Sequence, residues 1–174
     1  MTEIVKPILK YTGELGPIIL FVPTIFLLSN KSNALAYYVS GSFLNCILNI
    51  FLKLLIQQPR PSEDPDKFEL MIERRKHLLL IPYDVFGMPS GHAQTVGFTT
   101  MFVFLTIRND LFRGFCVLIT LLTMWQRVHY NYHTVLQVVI GCIVGVLFAQ
   151  LMFYLNKINI AGLLKEKCDD YAPI

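Results

Sequence analysis

The chain has 174 residues, 54% of them hydrophobic and only 16% charged, with a mean hydropathy of +0.52. Soluble domains carry roughly 25% charged residues, so an ordinary soluble domain is excluded, and the length is that of one domain. The net charge of +3 is small and the basic residues form no aromatic-interleaved patch, which excludes a nucleic-acid partner.

Residues 1–14 carry Glu3, Lys6, Pro7, Lys10 and Glu14 and no small-residue cleavage site, which argues for an interfacial leader and against a secretory signal. Five runs free of Asp, Glu, Lys and Arg follow: Leu15–Asn30, Ser32–Leu52, Val85–Ile107, Gly114–Gln126 and Val128–Asn156. A bilayer core takes about 20 apolar residues per helix. The second, third and fifth runs meet that outright, whereas the first and fourth need their flanks or a thinned bilayer. The expected fold is all-α, a multi-pass transmembrane bundle of about five spanning helices, with residues 1–174 as one membrane-embedded domain.

The main polar insert is Gln57–Asp84, where Phe68, Met71, Ile72, Leu78 and Leu79 fall near helical spacing opposite Lys67, Glu69, Glu73, Arg74 and Lys76. That pattern predicts an interfacial helix between the second and third spans, ended by Pro82, with a solvated loop as the alternative. Residues 157–174 form a polar tail. Cys46, Cys116, Cys142 and Cys168 show no C-x-x-C spacing, so neither zinc nor a disulfide framework is indicated.

Five passes put the N-terminus, the 57–84 insert and the Arg127–Tyr132 turn on one membrane face. Outside the motif cations, that face carries six basic residues and the far face six, so charge bias assigns no orientation.

Three motifs converge on the first face. Lys53 and Arg60-Pro61 stand about two helical turns apart, or closer once Pro59 breaks the helix, so a point charge and a bidentate fork can aim at one anion. Separately, they read as a snorkelling lysine and a loop arginine. Pro89-Ser90-Gly91-His92 opens the third helix; a helix N-terminus with a hydroxyl and a close-approach glycine suits an anion, though a plain serine cap is the alternative. Arg127 and His133 bracket the last turn, and an ionisable residue there marks a functional site. Neutral imidazole attacks phosphorus, and a second histidine can protonate the leaving oxygen.

Gln137 follows His133 by one helical turn and can accept its Nδ1–H, fixing the tautomer. Asn45 and Asn49 suit either supporting hydrogen bonds to the site or helix–helix bonding. His77 and His129 are bystanders.

These motifs resemble the type 2 phosphatidic acid phosphatase superfamily signature, K-x6-RP, PSGH and SR-x5-H-x3-D. The first two match fully; Gln126 replaces the serine of the third and Gln137 its aspartate. The stretch Gln126–Val138 is further similar to the dolichyl-diphosphatase branch, as are Leu44–Pro61 and Gly87–Gln94, although that branch has PSSH. The resemblance implies that His133 is the nucleophile and His92 the general acid. Lys53, Arg60, Ser90, Gly91 and Arg127 would hold the phosphate, with neither cofactor nor metal. It implies a lipid phosphate substrate in the bilayer, most simply a polyprenyl diphosphate, and an endoplasmic reticulum membrane if the branch holds. Rival expectations are a phosphatidate or lysophospholipid phosphatase, a headgroup transferase, and a weakly catalytic headgroup-binding scaffold.

Overall fold

The computed structural model describes residues 2–61 and 85–163. Within them the chain forms five helices: α1 (Thr2–Leu28), α2 (Ser32–Ile56), α3 (Gly91–Thr106), α4 (Asp110–His129) and α5 (Val135–Leu163). Outside the helices, one isolated antiparallel bridge joins Pro59 to Phe86. The expected interfacial helix and most of the tail lie outside the described residues. The 1–14 leader and the first apolar run belong to one continuous helix from Thr2 onward.

Among the described residues, four stretches are long and apolar enough to cross a bilayer: Leu9–Leu28, Ser32–Ile56, Asp110–His129 and Val135–Ile158. The fold is a multi-pass helical bundle, as its composition requires. The third run differs from expectation. Val85–Ile107 was long enough to span outright, yet its helix has only 16 residues, about 24 Å at 1.5 Å per residue. The reason is local: residues 85–90 leave the helix to make a turn through Gly87 and Pro89 that reaches the end of α2. The fourth run recruits its flanks instead. Asn109 caps α4 by accepting from the Phe112 N–H at 3.0 Å, and Asp110 follows where the helix dipole favours an acid.

The short helix α3 is central. Its Phe98 and Phe102 pack with Tyr38 of α2, ring centroids 6.0 and 5.3 Å apart, and the Tyr38 hydroxyl shares a 3.1 Å hydrogen bond with Thr99. Association in lipid lacks a hydrophobic drive and depends on close packing and interhelical hydrogen bonds. Helix α5 meets that need with glycine. A Cβ on Gly141 would lie 2.6 Å from the Ser90 carbonyl, and one on Gly145 would overlap the Gln94 carbonyl. Backbone therefore rests on backbone along α3 and α5, which fixes the height of the α3 N-terminus against the start of α5.

Candidate active site

The ends of α2, α3, α4 and α5 that carry the three motifs meet on one face. The Arg127–His133 turn closes on itself, since the N–H groups of Tyr132 and His133 both donate to the Arg127 carbonyl at 3.1 Å. Asn131 sits within it at φ 55°, a left-handed conformation asparagine tolerates. Thr134 and Gln137 then form a reciprocal capping box for α5. The Gln137 N–H donates to Thr134 Oγ1, and the Thr134 N–H donates to Gln137 Oε1, each at 3.2 Å.

That box decides the chemistry of His133. Backbone N–H can only donate, so the Gln137 atom facing Thr134 is the oxygen. The same oxygen lies 3.2 Å from His133 Nδ1, which must then carry the proton. Nε2 keeps its lone pair. The amide nitrogen of Gln137 is fixed just as firmly, donating to the Pro59 carbonyl at 2.9 Å and to Gln58 Oε1 at 3.1 Å.

His133 is 3% exposed. Burial first, then the positive charges of Arg60 and Arg127 and, more weakly, Lys53, pushes its imidazole down to about 3, against a smaller upward pull from Gln137. The same three cations act electrostatically on His92. Lys53 and Arg60 from one motif and Arg127 from another therefore lie within electrostatic reach of both histidines. Lys53 is buried in the last turn of α2. The guanidinium of Arg127 lies over the Tyr132 ring, 4.4 Å from its centroid, so the ring holds one flat face and leaves the N–H edges for an anion.

Ser90 occupies the N-cap position of α3 but its side chain does not cap. It is fully buried, and among the described residues its hydroxyl has no hydrogen-bond partner. The same holds for Arg127 Nε. A buried polar atom left without a partner costs about 1–3 kcal/mol, which an incoming phosphate oxygen would relieve.

Beneath this turn lies a buried amide ladder. Asn49 Nδ2 donates to the Pro89 carbonyl at 3.2 Å and to Gln94 Oε1 at 2.8 Å. Gln94 Nε2 donates in turn to the carbonyl and Oδ1 of Asn45. Asn49 thus supports the Pro89–His92 turn and joins helices at once. Gly91 lies against Asn49, where a Cβ would approach Oδ1 to 3.1 Å. From the other side, the Ser90 N–H donates to the Gln137 carbonyl at 3.0 Å.

Three residues escaped the sequence reading. The Glu14 main chain lies within electrostatic reach of the His92 ring, and its carboxylate acts on Arg127. A main-chain contact has no sequence signature, although Gly13 and Gly16 at helical spacing signal close packing there. Gln94 lacked an assigned partner, and Tyr132 lacked a reason to stack. Gln126, which stands in place of a phosphate-donating serine, is fully buried against Gly13 of α1. His129 is peripheral, stacked on Trp125 at 4.6 Å. Among the described residues no group of three His, Cys, Asp or Glu is placed to hold a metal.

The PAP2 superfamily model matches residues 34–161, a range that takes in every one of these motifs. The chain belongs to the PAP2 superfamily. A dolichyldiphosphatase of Saccharomyces cerevisiae is 29% identical over 136 residues, covering 72% of this chain and 51% of the relative. Two chloroplastic lipid phosphate phosphatases of Arabidopsis thaliana, epsilon 2 and epsilon 1, are 29% and 30% identical, covering 73% and 75% of this chain and 41% and 43% of those proteins. The chain thus spans about half, or less, of the curated relatives it matches. No solved structure matches it.

Proposed function

We propose that this protein is an integral membrane phosphatase that hydrolyses a lipid phosphate or diphosphate through a phosphohistidine on His133. The observation that carries the reading is the buried, neutral imidazole whose Nδ1–H is committed to Gln137 while its Nε2 stays free among three cations. Attack by Nε2 forms the N–P bond as the bond from phosphorus to the lipid-side oxygen breaks. His92, whose imidazole is pushed down to about 4 by burial and then by the charge of Arg127, gives that oxygen a proton once the anionic phosphate favours its imidazolium. Water then attacks phosphorus, passing a proton back to His92, and the P–N bond breaks to release inorganic phosphate. Lys53, Arg60 and Arg127 neutralise the phosphoryl oxygens without metal, while Ser90 and the first N–H groups of α3 donate to them.

Of lipid phosphates, a polyprenyl or dolichyl diphosphate is the first choice. The yeast relative's name and the Gln137 branch pattern support it, and an endoplasmic reticulum membrane goes with it. A phosphatidate-type monoester is the second reading, supported by the names of the Arabidopsis relatives. The lost family carboxylate favours a headgroup-binding scaffold, but Gln137 supplies the same acceptor to His133, which answers that objection.

The test is phosphate release by detergent-purified protein, with chelator present, from polyprenyl diphosphate and from phosphatidate, beside His133→Ala. The reading expects release that the substitution abolishes, and the faster lipid names the class. No release from either lipid by folded protein would refute it.

A further inference from the structure

Among the described residues, the Gln137 side chain joins the turn that carries His133 to the end of the first motif. Its oxygen serves His133 and the cap of α5, while its nitrogen serves Gln58 and Pro59. Pro59 immediately precedes Arg60, and the segment is held on its other flank by the Gly87 N–H donating to the Gln58 carbonyl at 2.7 Å and by the Pro59–Phe86 bridge. Space for this buckle depends on Gly87, where a Cβ would lie 2.6 Å from both amide atoms of Gln137.

We propose that Gln137 is a two-sided positioning residue, which orients His133 with its oxygen and pins the Arg60-bearing segment with its nitrogen, so that a carboxylate at 137 weakens the site. The proposal rests on His133 being the nucleophile. A glutamate keeps the acceptor for His133 and the capping box, which takes Glu as well as Gln. It cannot donate, and it would set a negative oxygen against the Pro59 carbonyl where a 2.9 Å hydrogen bond now stands. Arg60 would lose its anchored neighbour, and phosphate affinity would fall with it.

The experiment compares wild type, Gln137→Glu and Gln137→Met for orthovanadate affinity by calorimetry and for the separate kcat and KM of lipid diphosphate hydrolysis. Methionine removes the amide donor and acceptor together without adding charge, whereas glutamate removes the donor alone, so the pair separates lost anchoring, common to both, from repulsion of the anion, which only glutamate adds. Both variants are expected to bind vanadate about tenfold more weakly, the scale of effect of losing the amide donor that Gln58 and Pro59 share. Gln137→Glu should lose kcat/KM mainly through KM, and its acid limb should move to higher pH as the new carboxylate favours the imidazolium. Wild-type vanadate affinity in Gln137→Met, or kcat/KM in Gln137→Glu equal to wild type, would overturn the proposal. Should either variant fail to fold, Gly87→Ala, which displaces the amide while leaving its partners intact, must show the same loss; unchanged vanadate affinity there also overturns it. A wild type that binds vanadate but releases no phosphate from any lipid would refute the hydrolase reading, while the affinities would still decide the coupling.

Discussion

An ordinary imidazole at pH 5, with pKa near 6.5, is protonated by about 30 to 1. His133, held at about 3 by burial and by Arg60, Arg127 and Lys53, should be protonated in only about one molecule in a hundred at that pH. The perturbation is pH itself, followed on the protein labelled with 13C-histidine, the His133 resonance being assigned by its disappearance in His133→Ala. The expected trace stays flat from pH 8 to pH 5, with the Nδ1–H tautomer throughout. Arg60→Gln removes the largest charge contribution and should raise the midpoint without restoring it to 6.5, because burial remains. The linkage has a definite sign. The unfolded chain binds the proton below about 6.5 and the folded chain does not until about 3, so stability rises with pH across that window. This one group makes the protein about 2 kcal/mol less stable at pH 5 than at pH 7. A His133 titration midpoint near 6.5 would refute the reasoning, because the imidazole would then be neither desolvated nor surrounded by cations.

Three further substitutions separate chemistry from architecture. Ser90→Ala removes a buried hydroxyl with no partner among the described residues, so thermal stability should hold while kcat/KM drops about 10- to 100-fold; equal losses in both would mean the hydroxyl is structural. Asn49→Leu strips the donor from Pro89 and Gln94 and should cost about 2–4 kcal/mol of stability as well as activity, read by thermal unfolding in detergent. Gly145→Leu would drive a side chain into the Gln94 carbonyl and should prevent monodisperse extraction; a well-behaved, active variant would contradict the α3–α5 packing.

Much of this site was readable because its residues sit at helix ends. Lys53 and Arg127 border apolar runs, Ser90 and His133 fall within the first six residues of one, and the up-and-down order of the helices brings those ends to one face. The tautomer of His133 was also within reach, since Gln137 is one helical turn away. The pattern Thr134-x-x-Gln137 also carries a capping box, and with it the orientation of the amide. Other features had no local signal. Val85–Ser90 is as apolar as the helix it precedes, so composition could not separate a buried turn from a span; only Gly87 and Pro89 hinted at it. Glu14 reaches His92 through its main chain, and the leader that carries it gave no reason to place it near the third helix. Gln126 looked like a lost phosphate ligand, but its fate was set by Gly13, a packing partner more than a hundred residues away.

The central claim is a covalent phosphoryl group on His133. Rapid mixing with 32P-labelled lipid diphosphate, an alkaline quench and peptide mapping would test it most directly, since phosphohistidine survives base and is lost in acid. The account predicts base-stable, acid-labile label on the peptide bearing His133, formed faster than phosphate is released and absent from His133→Ala. Turnover without label on that peptide, or with label on another residue, would contradict it.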